Sequence, residues 1–129
     1  MLPTLPFWIA FVATVLLLAA SLVTGLTHRR RLHIWLGPLT MLSLTVAIVL
    51  TEQLMKRYEF PAETLRMHLW FAKAGGLLAL PVIGTGLWLV RSERARRWHR
   101  IAVLVWILSV LAATGTGLYL FSLGTVKAG

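Results

Sequence analysis

Four stretches of about 20 mainly apolar residues (7–26, 34–54, 69–90 and 101–123) leave this chain little choice of fold. Each is long enough for a helix to cross the hydrocarbon layer of a bilayer. Each is apolar continuously and not at alternate positions, which excludes barrel strands and leaves helices as the way to satisfy the backbone in lipid. The connections are short, so successive helices run antiparallel. The expected fold is all-α: an integral membrane four-helix bundle of up-down topology, a single domain over residues 1–129. Composition supports lipid as the solvent. Charged residues make up 13% of the chain and hydrophobic ones 58%, against about 25% and about 45–50% in soluble domains.

The net charge of +9 would suggest nucleic acid in a soluble protein. Here the basic residues are gathered in short segments between apolar runs, and the positive-inside rule explains them without nucleic acid. The segment after the first run holds Arg29, Arg30 and Arg31; the segment after the third holds Arg91, Arg94, Arg96, Arg97 and Arg100. The opposite side has Lys56, Arg57, Arg66 and Lys127, diluted by Glu52, Glu59 and Glu63. The arginine side is therefore expected in the cytoplasm of a bacterial inner membrane, with both termini outside. Met1 to Pro6 carry no basic residue and the arginines follow the first run, so that run reads as a spanning helix and not a signal peptide. Five of the six tryptophans fall near expected helix ends, where interfacial aromatics belong; Trp106 is the exception, deeper in the fourth run.

The chain has no cysteine, which excludes disulfides, thiolate-held metal and c-type haem attachment. Aspartate is also missing, and no P-loop, dinucleotide fingerprint or paired carboxylate within a span is present. Nothing points to a hydrolytic enzyme, and the midplane offers mainly Ser43, Thr45, Ser109 and aliphatic residues, a poor basis for a pump.

Four histidines remain. His33 opens the second run and His99 the fourth, at equal expected depth on helices of the same direction. Two imidazoles so placed suit the two axial positions of haem b. Gly37, four residues after His33 on the same helix face, would leave room for the flat ring, with Gly84 and Gly86 at a similar level on the third helix. The neighbouring arginines would neutralise propionates. The competing interpretation is that small residues serve close helix packing and the histidines are interfacial. His68 opens the third run on the other side, near Glu52, Met55, Glu59, Glu63 and Met67. That set suits copper or another transition metal, while a capping or interfacial role is the simpler alternative. Gly115 and Gly117 would leave space beside His68. His28 sits beside three arginines and reads as solvated. Lys73, inside the third span, is expected to snorkel, Pro81 to kink that helix, and a short interfacial helix is expected after Pro61. Thr24-Gly25-Leu26 before His33 and Thr85-Gly86-Leu87 before His99 form a weak internal repeat.

His33 after an arginine cluster, Met67-His68, Trp98-His99-Arg100-Ile101-Ala102 and the stretch from Trp106 through Thr114-Gly115 to Tyr119-Leu120 together resemble the family numbered 420 among domains of unknown function, which includes CtaM-type oxidase assembly proteins. The resemblance covers roughly residues 27–120. It implies a multi-helix membrane protein serving haem–copper oxidase maturation, with His33, His68 and His99 as haem or metal ligands. The family's histidine near the outer end of the second helix is replaced here by Leu50-Thr51-Glu52-Gln53. The alternate-helix arrangement is also similar to small b-type cytochromes of the b561 sort. The expectation is a haem b- or metal-binding membrane protein, in electron transfer or oxidase assembly and not itself an enzyme, with a quinone or oxidase system or other membrane subunits as partners. A cofactor-free accessory subunit and a copper-handling chaperone are the alternatives.

Overall fold

The computed structural model describes residues 4–127. It is all-α, with four long helices: α1 (Leu5–Leu26), α2 (Arg30–Met55), α3 (Ala62–Arg91) and α4 (Arg96–Leu123). All four are long and apolar enough to cross a membrane. The helices are longer than the apolar runs. α2 takes in Arg30 to His33, and α3 starts directly after Pro61 and continues without a break, so no separate interfacial helix precedes it. His68 therefore lies nearly two turns inside α3 and not at its start. The helical assignment also runs uninterrupted through Pro38 and Pro81.

By contacts the chain divides into two compact units, residues 1–58 with 126–129, and residues 59–125. The first is the α1–α2 hairpin, the second the α3–α4 hairpin. Two short strands, Tyr58–Glu59 and Thr125–Val126, pair with each other.

The two turns are built differently. α1 ends in a Schellman motif: Arg29 N–H donates to Thr24 C=O at 2.9 Å and His28 N–H to Gly25 C=O at 3.4 Å. His28 takes the left-handed position of this motif, φ 59°, which usually falls to glycine. In the second hairpin Ser92 is extended, its hydroxyl accepts from Arg94 N–H at 3.3 Å, and a 3-10 turn over Glu93–Ala95 leads into α4.

Each hairpin is sealed along a seam of buried residues seven apart. In α1 these are Phe7, Thr14 and Ser21, with Thr24 beside them; in α2, Thr40, Ala47 and Leu54. In α3 they are Gly75 and Val82; in α4, Trp106 and Leu120, two such steps apart with half-buried Ala113 between them. A seven-residue repeat marks a left-handed helix pair with side chains set as knobs into holes. The seams are rich in small and hydroxyl residues, as helix contacts in lipid are. Large apolar side chains face outward, for example Leu16, Leu77, Leu87 and Trp35, the last 72% exposed. Trp106, the one tryptophan away from the helix ends, is 3% exposed.

Candidate functional site

The histidines take their places from this seam. His33 lies seven residues before Thr40, His68 seven before Gly75, and His99 seven before Trp106. Three of the four helices thus begin their buried row with an imidazole, each half-buried.

Each imidazole enters the same kind of hole on the facing helix. A Cβ built on Gly25 would lie 3.1 Å from His33 Cε1, one on Gly86 3.2 Å from His99 Cε1, and one on Gly117 2.9 Å from His68 Cε1. At Gly117 a methyl would force the ring to shift; at Gly25 and Gly86 the ring would have to give by a few tenths of an ångström. Each of these glycines belongs to a Thr-Gly-Leu triplet: Thr24-Gly25-Leu26, Thr85-Gly86-Leu87 and Thr116-Gly117-Leu118. The repeat seen in the sequence is therefore a packing device that occurs three times. The third copy is hidden in sequence because its histidine precedes the triplet by 48 residues instead of following it across a turn.

The facing helix also holds Nδ1 of each ring. His33 Nδ1 lies 2.8 Å from Ser21 C=O, an acceptor only, so this nitrogen carries the proton and donates it. His99 Nδ1 lies 3.0 Å from Thr85 Oγ1, and His68 Nδ1 3.1 Å from Thr116 Oγ1. Both hydroxyls donate their own proton backward, Thr85 to Pro81 C=O at 2.6 Å and Thr116 to Ala112 C=O at 2.7 Å. Their oxygens then accept from Nδ1–H. In all three rings the neutral tautomer puts the lone pair on Nε2. A metal-ligating histidine has this form, its far nitrogen fixed by a hydrogen bond and its near nitrogen basic.

The structure revises two sequence expectations about space. Gly86 does not leave room for a porphyrin, because the His99 ring fills its surface; Gly117 is likewise filled by His68. Gly37, Gly84 and Gly115 have no atom within 4 Å of an added Cβ and keep open space beside them. His28 is exposed and serves the turn. Lys73 lies on an exposed face of α3. Among the described residues no group of three or more His, Cys, Asp or Glu side chains is placed to hold a metal ion, so Glu59 and Glu63 do not assemble with His68 into such a group. Ser21 and Thr116 were not singled out from sequence; Gly25 and Thr85 entered only as members of the repeat, and Gly117 only as space beside His68.

Within the α3–α4 hairpin, His68 and the His99 contact at Thr85 are separated by 17 residues of one helix, about 25 Å of rise. The two rings cannot share one ion. The α1–α2 hairpin has a single imidazole on its seam.

Compared with known family models, curated proteins and solved structures, the chain matches none.

Proposed function

We propose that the chain is a small haem b- or metal-binding protein of the bacterial inner membrane, acting in electron transfer or oxidase assembly within a respiratory system. In this reading the helices span the bilayer with the arginine turns inside, His33 and His99 are the axial ligands, and Gly37 leaves room for the ring edge. The observation that carries it is the common placement of the imidazoles: Nδ1 of each is hydrogen-bonded to the facing helix, as the far nitrogen of a metal-ligating histidine is. Haem iron would supply a one-electron couple; the protein's part is to hold the ring nitrogens in one orientation and keep the site within lipid. His68 has the same preparation on the other end of its hairpin and is the residue for a separate metal, with copper the choice suggested by imidazole next to the Met67 thioether in sequence.

A second reading is favoured by the filled notches. An imidazole seated on glycine completes the helix contact by itself, which suits a cofactor-free accessory subunit whose outward apolar faces meet other membrane subunits.

The visible spectrum of protein purified from haem-replete cells, before and after dithionite, separates the two. Sharp reduced bands of a low-spin b-type haem are expected, lost in His33→Ala and in His99→Ala. They should persist in His28→Gly, which suits the left-handed turn. A flat spectrum removes the haem reading and leaves the accessory subunit, with copper analysis as the check on His68.

A further inference from the structure

The positive-inside rule counts lysine and arginine alike, yet the two hairpin turns use only one of them. All eight basic residues at the turns (Arg29, Arg30, Arg31, Arg91, Arg94, Arg96, Arg97 and Arg100) are arginine, and all are exposed. The lysines, Lys56, Lys73 and Lys127, all lie elsewhere. Charge alone does not explain this choice. A guanidinium differs from an ammonium in its planar fork, which grips a phosphate through two parallel hydrogen bonds.

An anion at these helix starts is favoured electrostatically. α2 opens with Arg30-Arg31 and α4 with Arg96-Arg97, and neither helix has an acidic residue in its first turn. Cations at the positive end of a helix dipole repel it. The one acid at either turn, Glu93, pairs with Arg96 at 3.4 Å in an exposed setting that screens the pair.

What lies next to the arginines specifies the anion further. Leu32, Ile34 and Trp35 follow the first cluster, and Trp98 and Ile101 are interleaved with the second, all exposed. A ligand matching this surface carries a phosphate directly beside hydrocarbon, and exposed tryptophan belongs at that boundary.

We infer that each arginine turn docks the phosphate groups of anionic phospholipids through bidentate contacts, making the turns lipid-selective and not merely topology-setting. The inference rests on the membrane reading and is independent of haem.

The test uses the full chain in nanodiscs of equal parts phosphatidylcholine and phosphatidylglycerol. The protein is extracted in mild detergent and the retained lipid is counted by mass spectrometry. Phosphatidylglycerol should be enriched severalfold. The charge-preserving variant Arg29→Lys, Arg30→Lys, Arg31→Lys, Arg94→Lys, Arg97→Lys and Arg100→Lys should enter the discs equally well and lose most of the enrichment. Equal enrichment in that variant, or none in the parent, overturns the proposal. Loss of the bound lipid in millimolar inorganic phosphate also overturns it, by showing a free-anion site. A parent chain that never enters the discs overturns it together with the membrane reading, whereas a flat haem spectrum leaves it standing.

Discussion

The two hairpins share a seven-residue seam but hold it together differently. In α1–α2 the contacts are made by hydroxyls: Thr14 Oγ1 and Ser43 Oγ lie 2.7 Å apart across the helices, and Thr40 Oγ1 reaches Leu17 C=O at 3.2 Å. In α3–α4 the middle of the seam combines a tryptophan with glycine and valine, and Val110 Cγ2 lies 3.7 Å from an added Cβ at Gly75. Both suit association in a solvent as apolar as the side chains, where packing and interhelical hydrogen bonds replace the hydrophobic effect. The first hairpin depends on many small polar contacts, the second on one large shape match. Removing a single residue should therefore hurt the second far more.

The largest effect is expected at Trp106. Trp106→Ala should destabilise the chain by about 3–5 kcal/mol through the cavity it leaves, read by denaturation in detergent with helical circular dichroism. A loss no greater than that of Thr14→Val would break the contrast between the hairpins. Gly117→Ala comes next, at about 1–3 kcal/mol, because its methyl would meet the His68 ring at 2.9 Å. Gly25→Ala and Gly86→Ala should cost less, since their rings stand slightly further off. If the order reverses, the ring is not what excludes the methyl.

Thr116→Val should cost about 1 kcal/mol by removing the hydroxyl that His68 Nδ1 bonds to. Thr24→Val is the matched control in the first hairpin. Its hydroxyl bonds only to Ala20 and Ser21 carbonyls of its own helix, while His33 uses the Ser21 backbone directly. Equal losses in the two variants would show that the hydroxyls act on their own helices and not on the rings. The smallest effect is expected for Trp106→Phe. Among the described residues, Trp106 Nε1 is buried without a hydrogen-bond partner. Removing that N–H should offset much of the lost ring volume. A loss as large as that of Trp106→Ala would mean that the indole N–H has a function of its own.

The number and type of helices were legible in the sequence, because a run of about 20 apolar residues has few alternatives. The boundaries were less so: Arg30 to Leu32 and Ala62 to Met67 are polar enough to look like loop, yet helix caps do not require apolar residues. The inward faces were hidden for a physical reason. In water the buried face is the apolar one; here Thr14, Ser21, Thr40 and Gly75 are buried while leucines face out, so hydropathy points the wrong way. The usable signal was spacing, His33-Thr40-Ala47-Leu54 above all. The Thr-Gly-Leu repeat was visible, but the role of its glycines was misjudged at Gly86, which seats the His99 ring and leaves no vacant slot.

That each hairpin closes its own polar seam bears on how such a chain is made. A solitary α1 emerging from a ribosome would present Thr14, Ser21 and Thr24 to the interior of a bilayer; paired with α2, it has these groups covered by protein. Biogenesis in this picture proceeds by helix pairs, with the first hairpin complete while the second is still being translated. The commitment point of synthesis would then be the arrival of Leu54, the last seam residue of α2.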